Sequence, residues 1–271
     1  MNVPFIVPSL LVLLAATADT ATATATTPAQ PKGSADKIPR YRAAHMDTVD
    51  PAKVREFEDA RHEWLRALSA KHITDGRGYF LQVGDSSFLT IRPFSSFAEL
   101  DGRAAKASEV AQAVGREAQE RYDTRSDNAL VPPHRSEIWT HEEELDYAPD
   151  NNALSELTAG AGRMVVEELR PSPSAGETYE QAWGEIRQVL KTARYPLTRR
   201  FFFSTYGSGK LVSFWLARSR SDLTTAPPAE EVVERTLGKN RANALFQKLK
   251  SAVAEAKIDQ VQARPDLSSP E

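Results

Sequence analysis

The chain contains an internal duplication, and this repeat limits its possible folds more than any other feature. At a spacing of 122 residues the identical pairs are Pro51/Pro173, Glu58/Glu180, Ala60/Ala182, Glu63/Glu185, Leu68/Leu190, Arg77/Arg199 and Phe80/Phe202. At a spacing of 123 residues they are Gly84/Gly207, Ser96/Ser219, Leu100/Leu223 and Gly115/Gly238. Identities that stay in register over most of each half predict a tandem repeat of units of about 105 residues.

Each unit predicts the element order strand, helix, hairpin, helix, strand. The first strands are YRAAHMDTV (41–49) and RMVVEELR (163–170), and the first helix begins at Pro51 behind a capping aspartate. Two apolar runs broken by Gly and Ser are typical of hairpins: GYFLQVGDSSFLTIR (78–92) and RFFFSTYGSGKLVSFW (200–215). Later helices, each interrupted by a glycine, precede the last strands, SEIWTHEEEL (136–145) and IDQVQARPDL (258–267).

The order βαββαβ is that of the ferredoxin-like sandwich, whose helices cover only one face of the sheet. The hairpin residues Tyr79, Leu81, Phe201 and Phe203, predicted on the other face, are too apolar to remain in water. Two units in one chain can bury these faces against each other. We therefore predict an α+β fold in which two tandem ferredoxin-like repeats pack sheet to sheet as an intramolecular α+β barrel.

With GYFLQVGDSSFLTIRPFSSFAEL (78–100) as its most characteristic stretch, the chain resembles the dimeric α+β-barrel superfamily over residues 40–267. This superfamily includes antibiotic-biosynthesis-type monooxygenases and NIPSNAP-like proteins, and the chain is similar to a fused pseudo-dimer of such units. The resemblance is one of fold and transfers no functional residue. Because fusion supplies both halves of the barrel, we expect a monomer.

The predicted repeats occupy residues 41–147 and 163–268, joined by a linker over 148–162. The N-terminus differs in composition: FIVPSLLVLLAA (5–16) is uncharged, apolar and shorter than the roughly 20 residues that span a bilayer. We predict a signal peptide over 1–18, cleaved after Ala18, and a disordered Thr/Ala/Pro-rich tether over 19–40. The mature protein is then periplasmic or secreted, without membrane insertion.

Composition excludes several functions. With 34 basic and 37 acidic residues the net charge is −3, and without a basic cluster we expect no nucleic-acid partner. The chain has no cysteine, and its five histidines show no HExxH or comparable spacing, so we expect no metal site. The segment GSGK (207–210) departs from the phosphate-loop pattern, because Leu211 follows the lysine and a strand follows in place of a helix.

The repeat also separates positions that the fold requires from positions that carry chemistry. A residue that is polar in one copy and apolar or small in the other is not demanded by the fold alone. Three predicted catalytic residues come from this comparison: Arg92 and His141, aligned with Trp215 and Ala263, and His45, aligned with a different ionisable residue, Glu167. They lie on adjacent strands, where the register either brings them to one face or separates them.

Further residues are predicted to bind a ligand beside these three. Thr90 shares a face with Arg92, Trp139 shares one with His141, and Phe203, Tyr206 and Trp215 are candidates for an aromatic pocket. An imidazole exchanges protons near neutral pH, and an arginine holds a carboxylate or stabilises an enolate. Such a site suits a small oxygenated organic molecule.

Three functions fit these observations. The interpretation we favour is an exported protein that binds a small hydrophobic or oxygenated organic ligand in the barrel. The second is a cofactor-independent, monooxygenase-like or isomerase-like enzyme built around His45, Arg92 and His141. The third is a catalytically inert interaction protein. We expect no cofactor, with haem on His45 or His141 as the alternative.

Overall fold

A computed structural model describes residues 39–73, 78–149, 161–170 and 172–268 of the chain. The predicted signal peptide, nearly all of the tether and most of the linker lie outside the described residues. The domain boundaries proposed at those segments therefore stay predictions.

The first half follows the predicted order, with its second helical region divided in two. Its elements are β1 (Tyr41–Val49), α1 (Val54–Ala70), β2 (Tyr79–Val83), β3 (Ser87–Phe94), α2 (Phe97–Val114), α3 (Arg116–Ala129) and β4 (Leu130–His141). A 3-10 turn over Pro51–Lys53 precedes α1, and the Asp50 side chain accepts a hydrogen bond from the Ala52 backbone N–H there. This cap explains why the helical segment begins at the proline.

The second half repeats this order. Its elements are β5 (Ala161–Leu169), α4 (Pro173–Thr192), β6 (Thr198–Tyr206), β7 (Leu211–Ala217), α5 (Arg220–Thr225), α6 (Ala229–Leu237), α7 (Lys239–Ala252) and β8 (Val253–Ala263). The last strands begin earlier than predicted, at Leu130 and Val253. Both residues already have extended backbone angles directly after the helix, so no loop separates helix from strand.

The eight strands form one closed barrel in the order β1-β3-β2-β8-β5-β7-β6-β4, in which β4 also pairs with β1. Each half contributes a four-stranded ferredoxin-like sheet. The halves join where β2 pairs with β8, with Leu81 opposite Ala263, and where β4 pairs with β6, with Thr140 opposite Phe203. The predicted tandem pseudo-dimer and its intramolecular α+β barrel are confirmed.

Paired residues of the repeat perform the same local task in both halves. Ser96 and Ser219 cap α2 and α5, because their hydroxyls accept hydrogen bonds from the backbone N–H three residues later. Gly115 and Gly238 separate the later helices with φ angles of 108° and 81°. Side chains with a Cβ rarely adopt such angles, and the helices therefore end there.

The repeat alignment is wrong by one or two residues in two strands. Strand pairing places Phe80 opposite Thr90 and Phe201 opposite Ser213, so Phe201, and not Phe202, is the counterpart of Phe80. The reason is the second hairpin turn, which is longer by two residues rather than one. As a result Phe201 and Phe203 do not face the barrel lumen as predicted, whereas Tyr79 and Leu81 do.

The same correction applies to the first strand. Tyr41 pairs with Phe94, and Ala161 pairs with Ala217, so β1 and β5 are related by 120 residues. The counterpart of His45 is therefore Val165, and Glu167 corresponds to Asp47. The connection between β5 and α4 is two residues longer than the connection between β1 and the 3-10 turn at Pro51. The sequence alignment had no gap there, so it matched β1 to β5 two residues out of register.

Apolar side chains from both halves fill the barrel lumen. Trp139, Phe202 and Phe214 are mutually packed, with ring centroids 6.0 to 6.2 Å apart. The buried carboxylate of Glu137 accepts a hydrogen bond from Nε1 of Trp139 at 2.8 Å, and its other oxygen lies 3.0 Å from Nε of Arg135. The paired hydrogen bond and charge make burial of this carboxylate tolerable.

The segments that follow β4 and β8 bind under the first helix of the opposite half. Nε1 of Trp183 on α4 donates a hydrogen bond to the Leu145 carbonyl at 2.7 Å. In the equivalent place Nε of Arg61 on α1 donates to the Leu267 carbonyl at 3.0 Å. These contacts tie the halves together beyond the strand pairing.

Replacing Gly207 by alanine is expected to destabilise the fold more than replacing Gly84, its repeat counterpart. Gly207 has a φ of 145°, and a Cβ there would lie 2.6 Å from Cγ of Glu137. Gly84 has a φ of 63° and nothing within 4 Å of such a Cβ. We expect a loss of about 3 kcal/mol for Gly207→Ala, combining strain and overpacking, and about 1 kcal/mol for Gly84→Ala.

Urea unfolding followed by circular dichroism measures both losses. Equal losses for the two glycines would contradict the tight contact between Gly207 and Glu137.

Candidate functional site

A cluster of polar side chains lies on the outer face of the first half's sheet, where β1 runs between β3 and β4. Its members are His45 and Asp47 on β1 and His134 and Ser136 on β4. His45 lies opposite Ser136 on one side and opposite Thr90 on the other. The extended backbone places His45 and Asp47 on the same face because they are two residues apart.

Hydrogen bonds link the four side chains in one continuous network. Nε2 of His45 lies 2.9 Å from Oδ1 of Asp47, and Nδ1 of His45 lies 2.7 Å from Oγ of Ser136. Nδ1 of His134 approaches the same Asp47 oxygen at 3.1 Å. The Asp47 side chain is 13% exposed, whereas those of His45 and His134 are 45% and 41% exposed. A nearly buried carboxylate thus holds two solvent-accessible imidazoles.

The carboxylate controls the protonation of His45. The hydrogen bond from the His45 ring to Asp47 is the largest influence and raises the pKa of His45 above its ordinary value of 6.5. Burial of the ring lowers this pKa, the negative charge of Asp47 raises it, and the positive charge of Arg92 lowers it. The net direction is upward because the hydrogen bond is the largest contribution. His45 therefore keeps its second proton to a higher pH than an ordinary histidine does.

Thr90 and Arg92 extend this face on the neighbouring strand. Arg92 lies opposite Ala43 and points across Gly78, where an added Cβ would meet Cγ of Arg92 at 3.4 Å. Farther along the same face Tyr41 stacks on Phe94 with centroids 5.4 Å apart. The face thus runs from aromatic rings, past a guanidinium, to the imidazole cluster.

The equivalent face of the second half is packed with large side chains. The guanidinium of Arg199 lies over three aromatic rings, with 4.6 Å to Trp183, 4.4 Å to Phe201 and 5.0 Å to Trp215. Both Nε and a terminal nitrogen of Arg199 donate to Oγ of Ser213, at 3.1 and 2.8 Å. A buried arginine enclosed in this way serves packing.

Strand register shows what replaces this packing in the first half. Gly78 occupies the position of Arg199, Arg92 that of Trp215, and Thr90 that of Ser213. Two large side chains are thus replaced by one arginine. His45 is half-exposed, whereas its counterpart Val165 is buried, so the sheet face of the first half is more open to solvent.

His141 does not join His45 and Arg92. It lies on the face of β4 that carries Trp139, its side chain is 4% exposed, and its Nε2 is 2.8 Å from Oδ2 of Asp146. The same carboxylate accepts hydrogen bonds from Arg200 at 2.6 Å and from the Phe201 backbone N–H at 2.9 Å. His141 therefore belongs to a buried contact between the halves, on the opposite face of the sheet from His45.

The predicted aromatic residues are distributed over separate places. Trp139 lies in the lumen, Trp215 lies in the sheet–helix core of the second half, and Phe203 and Tyr206 are 36% and 60% exposed near the end of β6. They do not form one pocket. Tyr206 contacts Phe97 edge to face at 5.8 Å.

Three members of the cluster, Asp47, Ser136 and His134, were not predicted from the sequence. Asp47 was recognisable, because it follows His45 by two residues on a predicted strand. Ser136 and His134 reach it only through the pairing of β4 with β1, which no spacing in the sequence reveals. His134 belongs to a strand and contacts Asp47, although its position after two prolines suggests a solvated loop.

Among the described residues, no group of three or more His, Asp or Glu side chains is arranged to hold a metal ion. An axial haem bond from His45 or from Nε2 of His141 would replace a hydrogen bond to Ser136, Asp47 or Asp146. No helix in the described part of the chain has the length and apolar character needed to cross a bilayer.

Solved structures share this fold at low sequence identity. A proposed monooxygenase from Fusobacterium nucleatum aligns with a TM-score of 0.50 and 9% identity over 82% of this chain and 91% of that protein. An anthrone oxidase-like protein gives 0.47 and 12% over 86% and 94%, and a proposed monooxygenase from Lactobacillus acidophilus gives 0.45 and 8% over 85% and 96%. No family model and no curated protein sequence matches the chain.

The first of these alignments concerns architecture only. The chain has the ferredoxin-like, dimeric α+β-barrel fold, here formed by two fused halves. The resemblance expected from the sequence is confirmed at that level.

Replacing Asp47 by asparagine is expected to lower the pKa of His45, because the amide removes the charge and leaves only a weaker, neutral hydrogen-bond acceptor for the ring. Since the folded pKa exceeds the unfolded one, the pair stabilises the protein fully below about pH 6.5 and loses this contribution as pH rises through the folded pKa. NMR titration of the imidazole protons measures the shift. Asp259→Asn on β8 is the control, and an unchanged His45 titration in Asp47→Asn would refute the coupling.

Proposed function

We propose that the outer sheet face of the first half binds a small organic acid with an apolar body. One observation carries this proposal: the Arg199–Trp215 packing of the second half is replaced there by Gly78 and Arg92, beside half-exposed His45. Positions that the second half fills with a buried arginine and a tryptophan are occupied in the first by a glycine and by half-buried Arg92. A few polar groups beside aromatic rings are typical of ligand sites.

The chemistry of the face selects the ligand class. A guanidinium binds a carboxylate through two parallel hydrogen bonds, and the hydroxyl of Thr90 adds a donor beside it. The half-buried ring of Tyr41, which stacks on the buried ring of Phe94, provides an apolar surface on the same face as Arg92. An aromatic or aliphatic carboxylic acid satisfies both requirements.

The packing of the barrel lumen favours the outer sheet face over the lumen as the ligand site. It is occupied by Trp139, Phe202, Phe214 and aliphatic side chains, an arrangement expected of a packed core. The outer face instead exposes titratable groups. Of the remaining functions, an enzyme is favoured over an inert interaction protein by the proton-exchanging pair of His45 and Asp47.

Titration with benzoate and with octanoate tests the site. We expect saturable binding in calorimetry, weakened about tenfold in Arg92→Gln, since a hydrogen bond to a charged group contributes roughly 1.5 kcal/mol. Benzamide, which lacks the charge, is expected to bind more weakly than benzoate.

Arg163→Gln is the matched control, because this exposed arginine lies on β5 of the second half. Equal affinity of the wild type and Arg92→Gln for both acids, or no saturable binding of either acid, would rule out the proposed site.

We also propose that the protein is exported and acts as a monomer. The apolar segment 5–16 and the small residues before Asp19 support export, and closure of the barrel within one chain supports the monomer. The intact mass of protein recovered outside the cytoplasm is expected to correspond to a chain beginning at Asp19. Light scattering should give the mass of one such chain. The mass of the full 271-residue chain would contradict export with cleavage, and the mass of two chains would contradict the monomer.

A further inference from the structure

The hydrogen bonds around His45 fix the proton positions on its ring. Asp47 at 2.9 Å accepts a hydrogen bond from Nε2, so in the neutral imidazole the proton resides on Nε2. Nδ1 then carries the lone pair, and the Ser136 hydroxyl at 2.7 Å donates to it. His134, at 3.1 Å from the same Asp47 oxygen, holds the carboxylate from a second side.

We propose that Ser136, His45 and Asp47 form a nucleophile, a general base and an orienting carboxylate that hydrolyse carboxylic esters at this face. The inference deepens the proposed acid-binding function, because the ester's acid is the ligand class that Arg92 and the neighbouring rings accept. The defining arrangement is a nucleophile hydrogen-bonded to a base that a third group orients.

The reaction proceeds in two balanced steps. Oγ of Ser136 attacks the ester carbonyl, its proton passes to Nδ1 of His45, and the alcohol leaves with that proton as the carbon–oxygen bond breaks. Water then attacks the acyl-Ser136, again giving a proton to Nδ1. His45 returns this proton to Oγ of Ser136, and the carboxylic acid is released. One ester and one water become one acid and one alcohol, without a change in oxidation state.

The exposures of the three side chains suit these roles. Asp47 is nearly buried, which keeps its carboxylate hydrogen-bonded, whereas Ser136 is exposed and reachable by substrate. The charged and titratable groups facing His45 are Asp47, His134 and Arg92. Activity should rise with pH as His45 loses its second proton, above pH 6.5, because Asp47 stabilises the protonated ring.

Hydrolysis of p-nitrophenyl acetate and p-nitrophenyl octanoate by the full chain, and labelling with a fluorophosphonate, test the proposal. The wild type is expected to turn over both esters and to carry the label on Ser136 in peptide mapping. Ser136→Ala should lose the label, and His45→Asn should lower kcat/KM about 100-fold or more. Thermal unfolding shows whether each variant is folded.

His62→Asn provides the matched control. His62 on α1 also contacts a carboxylate, with Nε2 3.2 Å from Asp266, and among the described residues no serine is hydrogen-bonded to its ring. This variant should retain the wild-type rate, which separates the relay from acylation of surface imidazoles. Equal rates in wild type and Ser136→Ala, or a label on any other residue, would overturn the assignment.

The two proposals fail in different ways. Absence of turnover and of label, with benzoate still bound in an Arg92-dependent manner, overturns the catalytic role and leaves acid binding. Label on Ser136 without benzoate binding overturns acid binding and supports the relay.

Discussion

The pairing of β4 with β6 and of β2 with β8 is the interaction on which the rest of the structure depends. A single ferredoxin-like sheet has two unpaired edges and one uncovered apolar face, and both features promote aggregation. The second half removes both at once, because the same pairings that occupy the edges also close the barrel over the lumen. Contacts from Trp183 and Arg61 to the segments after β4 and β8 reinforce these junctions.

Fusion of the halves has a further consequence for function. In an assembly of two identical chains, any change on one sheet face appears on both, so a packing residue and a site residue cannot differ between them. Here the Arg199–Trp215 contact stabilises one face, while Gly78 and Arg92 occupy the equivalent positions of the other, which also carries half-exposed His45. The packed face of the second half stabilises the barrel, and the first half carries exposed polar groups on the equivalent face.

Buried charged groups on the lumen side stabilise the contact between the two halves. Asp146 joins His141, Arg200 and the Phe201 backbone, and it does so where β4 meets β6. Leaving one partner of such a network unpaired in the interior is costly. The two histidines on neighbouring strands β1 and β4 thus differ in role, because His141 is enclosed by its partners and His45 faces solvent beside Asp47.

The sequence by itself determined the duplication, the βαββαβ order of each half and the closure of one half on the other, because apolar periodicity and turn residues are local and were repeated. It also indicated His45 and Arg92 through differences between the copies, and Thr90 through its position two residues before Arg92 on one strand. Only the tertiary structure decided which residues meet, since strand register depends on pairing between distant segments. The second hairpin turn is longer by two residues where the sequence alignment allowed one, so Phe201 faces outward and not into the lumen. The pairing of β4 with β1 brought Ser136 to His45 and left His141 on the other face.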